Sequence, residues 1–225
     1  NLIKKKNLKA LVTAGPTREY LDPVRYISNE SSGKQGFEIA LALSKLGIKT
    51  KFITGPSNLI HRKELKTKKV VSADEMFIEV KKSLPVDVAI CTAAVSDFKP
   101  IHKNKYKIKS DQNKLHSFLI KKNKDILEYL GKNNKHRPKL VVGFSAETEE
   151  LQKNSIQKLK KKNCDIIVAN DVSKKDIGFN SDYNEVTIID NDGNYKFFKK
   201  NKKSIIAKKV VEIILDKLVS EKNLN

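Results

Sequence analysis

Residues 11–36, LVTAGPTREYLDPVRYISNESSGKQG, decide how the rest of the chain is read. An apolar strand runs from Leu8 through Leu11 and Val12, breaks at Ala14-Gly15-Pro16, and gives way to a segment without apolar periodicity. That segment ends in Ser31-Ser32-Gly33-Lys34-Gln35-Gly36, which opens a strongly periodic helix. Strand-to-helix connections in compact α/β units take roughly 2 to 6 residues, so a connection this long predicts a functional loop. Gly33 and Gly36 permit close backbone approach to a ligand, and the helix N-terminus behind them offers free N–H groups and partial positive charge. Ser31, Ser32 and Lys34 add donors, and Arg18 and Arg25 bring guanidinium forks suited to phosphate or carboxylate. An anion site is one reading. The other is a serine N-cap, with the glycines serving close helix packing.

Two familiar phosphate motifs are excluded. A Walker A loop would need glycine where Ser28 stands and Ser or Thr where Gln35 follows Lys34. The dinucleotide fingerprint G-x-G-x-x-G fails because Pro16 and Thr17 follow Gly15.

Outward from this loop, helix and strand patterns alternate. Phe37, Ala40, Leu41, Leu43 and Ser44 predict a helix over 36–46 that ends at Gly47. Strands are predicted at 51–54 and 69–71, then a helix capped by Ser72 and stopped by Pro85. Residues 86–91 are apolar except for Asp87, the pattern of a parallel strand buried on both faces. The small residues of 92–97 then leave room for a ligand. Extended runs at 105–109 and 115–120 flank a turn at 110–114 and predict a hairpin or arm, whose lysines are either a solvated face or ligand contacts. A helix over 125–130, a strand over 140–144, a basic helix over 149–162 and a strand over 164–169 follow. Lys158 and Lys162 are four apart and share a helix face. A hairpin turns around Asn191-Asp192-Gly193-Asn194, between strands at 186–189 and 195–198, and a closing helix covers 204–218. The fold class is therefore α/β: a doubly wound, Rossmann-like, mostly parallel sheet in one domain, 1–225, with an antiparallel hairpin near the C-terminus. The loops after Val12, Cys91, Phe144 and Ala169 all follow strands and should gather at one sheet edge, where a nucleotide-sized ligand would sit.

Composition narrows the class. Hydrophobic residues make up 39% of the 225, and no apolar run nears the roughly 20 residues of a membrane span. No signal peptide is visible, so a cytoplasmic protein without a membrane partner is expected. The net charge of +20 raises nucleic acid as a partner. Against it, the lysines are dispersed, only Arg18, Arg25, Arg62 and Arg137 are arginines, and Asn and Ile are abundant. A/T-rich codons account for that composition, and no nucleic-acid partner is expected. Cys91 and Cys164 lie in apolar strand patterns, as buried free thiols of a reducing compartment do. The four histidines are far apart, which disfavours zinc, and no metal ligand is assigned. The chain starts at Asn1 rather than methionine, as expected of a processed chain or a piece of a longer one.

TAGPTREYLDPVRYISNESSGKQG, CTAAVSDFKP, KIKS, GFSAET and IIVANDVSKKDIGFNSDYNEVTII, in that order, resemble the phosphopantothenoylcysteine synthetase family of coenzyme A biosynthesis. The resemblance runs from about Leu8 to the last helix. It implies a ligase that activates the carboxylate of 4'-phosphopantothenate with CTP and Mg2+, then passes the acyl-cytidylate to L-cysteine. It implies that Asn29 and Arg25 handle substrate and acyl intermediate, and that Lys107 opens a KxKK motif whose last lysine is replaced by Ser110. Nucleotide contacts are implied for Cys91, Thr92, Ala93 and Asp97, for Lys124, Asp125, Ile126 and Leu127, and for Phe144, Lys158 and Lys162. Lys124 stands where the bacterial family has proline. Gly15 joins Ser31, Ser32, Gly33 and Gly36 in the substrate or phosphate loop. A homodimer is implied, with the arm around 103–122 at the subunit contact. Most bacterial members are fused to a flavin-dependent decarboxylase, which nothing in this chain resembles. Two other classes compete: an NAD-dependent Rossmann enzyme, disfavoured by the missing fingerprint, and a basic nucleic-acid-binding module. CTP against ATP is left open, since base choice depends on loop geometry.

Overall fold

The computed structural model describes residues 7–59, 62–109, 119–133, 135–173 and 181–222. The chain runs β1 (Lys9–Ala14), β2 (Arg18–Tyr20), β3 (Tyr26–Ser28), α1 (Lys34–Lys45), β4 (Lys49–Thr54), β5 (Lys66–Lys69) and α2 (Ala73–Ser83). Next come β6 (Val88–Cys91), β7 (Phe98–Pro100), β8 (Ile120–Lys122), α3 (Ile126–Gly131), β9 (Leu140–Glu147) and α4 (Leu151–Lys162). The last elements are β10 (Ile166–Asp171), β11 (Tyr183–Asp190), β12 (Tyr195–Lys202) and α5 (Lys203–Lys222). Among the described residues the main sheet has eight strands in the order β12-β11-β10-β9-β6-β1-β4-β5. The six strands from β10 to β5 pair in parallel. Strands β11 and β12 add antiparallel, as the Asp-Gly hairpin predicts.

Alternation along each strand sorts the core into two layers. Ala10, Val12 and Ala14 of β1 pack with Ile39, Ala40 and Leu43 of α1 and with Val210 and Ile214 of α5. Leu11 faces the other way, toward Met76 and Val80 of α2, Leu130 of α3 and Leu159 of α4. Side chains of this kind stabilise the fold by about 1.5–3 kcal/mol each when fully buried. Among the described residues no helix is long and apolar enough to cross a membrane.

Several local expectations are corrected. The 11–36 connection is not shapeless: β2 and β3 pair antiparallel, Tyr20 meets Tyr26 edge to face at 5.3 Å, and the Arg18 guanidinium lies 4.6 Å above the Tyr26 ring. Strands of three residues are too short to show a period in sequence. No serine caps α1. Its N-cap is Gly33 at φ 70°, while the Ser31 and Ser32 hydroxyls accept from the backbone N–H groups of Gly33 (3.2 Å) and Lys34 (3.5 Å). Gly36 does serve packing, since a Cβ there would stand 2.1 Å from Thr92 Oγ1 and 2.6 Å from Ala14 Cβ. The strand expected at 69–71 is β5, shifted toward the N-terminus, because its pairing with β4 ends at Thr54–Lys69. Ser145 to Glu147 continue β9 rather than looping, paired with Ala169 to Asp171 of β10. Strand β10 accordingly runs two residues further than expected, and α5 is longer at both ends. The run 105–109 forms no strand; the arm's base is instead β7 paired with β8. Ser110 and the rest of 110–118 lie outside the described residues, as does most of the loop before Ser181.

Candidate functional site

The chain leaves β1 for β4 on one side and reaches β6 and β9 on the other, so the sheet's switch point lies between β1 and β6. In open α/β sheets that point carries the ligand crevice. Here the two loops are stitched together: Pro16 bridges to Ala94, and Asn29 donates its side-chain N–H to Val95 O at 3.0 Å. The Thr92 hydroxyl returns to Thr13 O at 2.7 Å, which holds the start of the second loop against β1.

Two cavities of about 660 and 610 Å³ open here, and Ala93, Val95, Asp97, Phe144 and Lys158 line both. The first also takes in Cys91, the 124–127 segment and Lys162. The second is lined by Asn29, Ser31, Ser32, Gly33, Gly36 and Thr92. Each volume suits a nucleotide-sized ligand. Three expected site residues line neither cavity: Gly15, Arg25 and Lys107. Gly15, at φ 73°, holds the turn after β1 and packs beneath Gly33. Arg25 donates from Nη2 to Ile108 O at 2.7 Å and sits 3.7 Å from the buried Asp22. Asp22 in turn accepts from the backbone N–H groups of Val24, Arg25 and Ile108. Lys107 is exposed, next to the buried Ile108 that this cluster anchors.

The lysines of the first cavity differ in what they touch. Lys162 bonds Asp125 at 2.8 Å and Glu128 at 2.9 Å. Burial works against its charge, but the bonds to Asp125 and Glu128 prevail and its pKa is raised. Glu128 is correspondingly held down to about 2, first by Lys132 and then by Lys162. Asp125 also caps α3, accepting from Glu128 N at 2.8 Å. Lys162 thus joins α4 to α3 as part of the cavity wall. Lys124 lies 5.0 Å from the Phe77 ring centre. Lys158, common to both cavities, donates to Phe144 O at 2.8 Å. Cys91 is half-buried at the cavity wall and not fully buried as expected, because β6 ends there; desolvation still pushes its thiol up to about 12, so it is neutral and no nucleophile near pH 7. Cys164 is buried in the same state, with its thiol also raised to about 12.

The C-terminal third supplies residues that motif reading did not single out. Asn170, Asn184 and Lys203 line the second cavity. Asn184 donates to Gln35 Oε1 at 3.1 Å, and Gln35 donates to Lys203 O at 3.2 Å. Burial, and then repulsion from Lys34, lowers the Lys203 pKa to about 8, against the pull of Asp182. Asn170 and Asn184 fall within the quoted segments, but Lys203 is one lysine among many in 199–203 and carried no signal. Among the described residues no three His, Cys, Asp or Glu side chains cluster to hold a metal ion.

Comparison with known proteins follows the same lines. Residues 5–218 match the family described as the DNA/pantothenate metabolism flavoprotein C-terminal domain. The coenzyme A biosynthesis bifunctional protein CoaBC of Haemophilus influenzae is 41% identical over 210 residues, 93% of this chain and 52% of that protein. The CoaBC of Escherichia coli K12 is 40% identical over 224 residues, 97% of this chain and 54% of that protein. The chain spans about half the length of the curated relatives it matches. The crystal structure of a CoaBC C-terminal domain superposes with a TM-score of 0.80 at 32% identity, covering 95% of this chain and 97% of that one. A Cab2 mutant in complex with phosphopantothenate-cysteine shares the fold alone, at 17% identity and a TM-score of 0.74, over 98% of this chain and 90% of that one.

Proposed function

The chain belongs to the DNA/pantothenate metabolism flavoprotein C-terminal domain family, and on that footing we propose that it is a ligase joining 4'-phosphopantothenate to L-cysteine at the expense of CTP. A carboxylate oxygen of 4'-phosphopantothenate attacks the α-phosphorus of CTP and pyrophosphate leaves, giving an acyl-cytidylate. The cysteine amine then attacks the acyl carbon, CMP departs with the former carboxylate oxygen, and the amine gives up its proton as the amide forms. Activation is required because a carboxylate is a poor electrophile, and the phosphoryl anhydride supplies the leaving group.

The observation that carries this reading is the meeting of two nucleotide-sized cavities at the 93–97 loop, with Asp97 and Lys158 common to both. CTP would occupy the first cavity against the 124–127 segment, Phe144 and Lys158. Phosphopantothenate would enter the second, past Asn29 and the 31–36 loop. The attacking carboxylate and the α-phosphate then meet at the shared wall. Lys158 would offset the charge that builds on the phosphates as the P–O bond breaks. Mg2+ is usually held in such sites by one carboxylate and substrate phosphates, and Asp97, which lines both cavities, would be that carboxylate. When bound, Mg2+ would neutralise triphosphate charge. Lys107 would reach a triphosphate from the arm.

A homodimer belongs to the same proposal. Phe98, Ile101, Tyr106, Leu119 and Ile120 leave apolar surface exposed along the arm, which suits a subunit contact. The test is pyrophosphate release with CTP and with ATP, with and without phosphopantothenate and cysteine. Release that requires CTP and phosphopantothenate but not cysteine supports the reading; release independent of phosphopantothenate contradicts it.

A further inference from the structure

A third cavity, of about 440 Å³, opens at the same carboxyl edge of the sheet but on the other side of β1, where β4 and β5 end. Its lining includes Arg18, Arg62 and Lys69, and no carboxylate among the described residues. The sequence holds four arginines, and their guanidinium forks are used unequally. Arg25 is held by Ile108 O and Asp22. Arg137 bonds Gly131 O, Pro138 O, Asn163 O and Asp165. Among the described residues, the side chains of Arg18 and Arg62 have neither a hydrogen-bond acceptor nor an ion-pair partner. Both line the third cavity, and neither lines the other two. Arg18 is nonetheless held in place. Its backbone N–H donates to Val71 O at 2.9 Å, and its guanidinium lies 4.6 Å over the Tyr26 ring centre. Stacking of that kind occupies the face of the guanidinium and leaves its N–H edge for an oxyanion. The same lining carries half-buried Tyr20 and Phe37, and the buried Phe52, which meets Phe37 edge to face at 6.0 Å.

We propose that the third cavity binds a phosphomonoester carried on a flat ring, with Arg18 and Arg62 on the phosphate and the ring against Tyr20 and Phe37. Charge decides for phosphate over a carboxylate. Three cations with no lining anion suit a group that carries about −1.5 to −2 at pH 7, and arginine forks match its paired oxygens. The volume lies within the roughly 300–1,000 Å³ of small-molecule pockets. A nucleoside monophosphate and a phosphorylated aromatic metabolite share this chemistry. The site lies apart from both cavities of the ligase reading and does not depend on that reading.

The experiment is an NMR titration of the 225-residue chain with phenyl phosphate, CMP, AMP and inorganic phosphate. The Val71 amide reports the third cavity, and the Val95 amide reports the other two. Phenyl phosphate should move Val71 and bind about tenfold or more tighter than inorganic phosphate, because its ring is buried. Arg62→Gln, at an exposed position, removes a charge-assisted bond and should raise Kd by about tenfold or more. Arg18→Lys keeps the charge but loses the fork, and should weaken binding several-fold. Lys158→Gln, in the other two cavities, should leave Kd unchanged. Whichever of phenyl phosphate, CMP and AMP binds tightest through Arg62 identifies the source of the ligand. If Arg62→Gln fails to fold, as shown by its melting curve, Lys69→Gln on the exposed edge strand serves the same test. Inorganic phosphate that binds as tightly as all three ring phosphates would overturn the proposal. So would ring phosphates that move only Val95 and depend on Lys158 rather than Arg62, or that do not bind at all.

Discussion

The side-chain amide of Asn29 donates to the backbone carbonyl of Val95 at 3.0 Å, which joins the loop after β1 to the loop after β6 at the edge of the second cavity. The bond uses Nδ2 and leaves the amide oxygen for a ligand. Asn29→Asp loses the donor and sets a carboxylate beside the Val95 carbonyl and, in the proposed reaction, beside the cytidylate phosphate. The residues proposed to contact the nucleotide in the first cavity are untouched. The variant should therefore form the acyl-cytidylate and pass it poorly to cysteine, so that the intermediate accumulates. Quenching with CTP and phosphopantothenate, then chasing with cysteine under mass spectrometry, checks this. Turnover of the intermediate at the wild-type rate would remove Asn29 from the second step.

Arg25 holds the segment that bears Lys107. Replacing it with alanine deletes a charge-assisted bond to Ile108 O and leaves the buried Asp22 without its neighbouring cation. Stability should fall by about 1–3 kcal/mol in urea melts. Amide exchange at Ile108 should quicken as well. If Arg25→Ala lost activity with neither change, its role would lie with substrate and not with the arm.

Gly36→Ala tests how closely α1 packs on the sheet. The added methyl would fall 2.1 Å from Thr92 Oγ1 and 2.6 Å from Ala14 Cβ, so the helix or the Thr92 loop must shift. Overpacking of this kind costs about 1–3 kcal/mol. Because Thr92 begins the 92–97 loop, KM for CTP should rise along with the loss of thermal stability. An unchanged melting temperature would contradict the packing described.

Glu128 gives the stability a pH signature. Its folded pKa of about 2 lies below the ordinary 4.5, so the stability it contributes is present above about pH 4.5 and is lost as pH falls toward 2. With a side chain 35% exposed, solvent screening keeps the effect modest. Glu128→Gln should flatten that part of the stability curve, as measured by urea denaturation at stepped pH. A slope as steep as in wild type would show that other carboxylates carry it.

Much of the fold was legible because parallel strands buried on both faces read as apolar runs such as Val88 to Cys91, and because Ser72, Gly47 and the Asp-Gly turn mark their ends. The sheet edges were harder. Strand β5 is Lys-Thr-Lys-Lys, an exposed edge without an apolar face, and only its register with β4 makes it a strand. The gathering of the residues expected to contact a nucleotide was legible through the motif order, and most of them line the first cavity. Lys203 was not legible. A buried lysine looks like its solvated neighbours until α5 is seen to start against the second cavity. Arg25 was legible as a fork for an anion, but not as the clamp on Ile108 O, a contact 83 residues away in sequence.

In the proposed reaction a carboxylate oxygen of 4'-phosphopantothenate is carried through a cytidylate to CMP. The most direct measurement uses 4'-phosphopantothenate labelled with ¹⁸O in both carboxylate oxygens, together with CTP and L-cysteine in the presence of Mg2+, and weighs the products by mass spectrometry. Phosphopantothenoylcysteine should retain one ¹⁸O, CMP should gain one, and pyrophosphate should gain none. Product formed with unlabelled CMP, or no product at all from these three substrates, would contradict it.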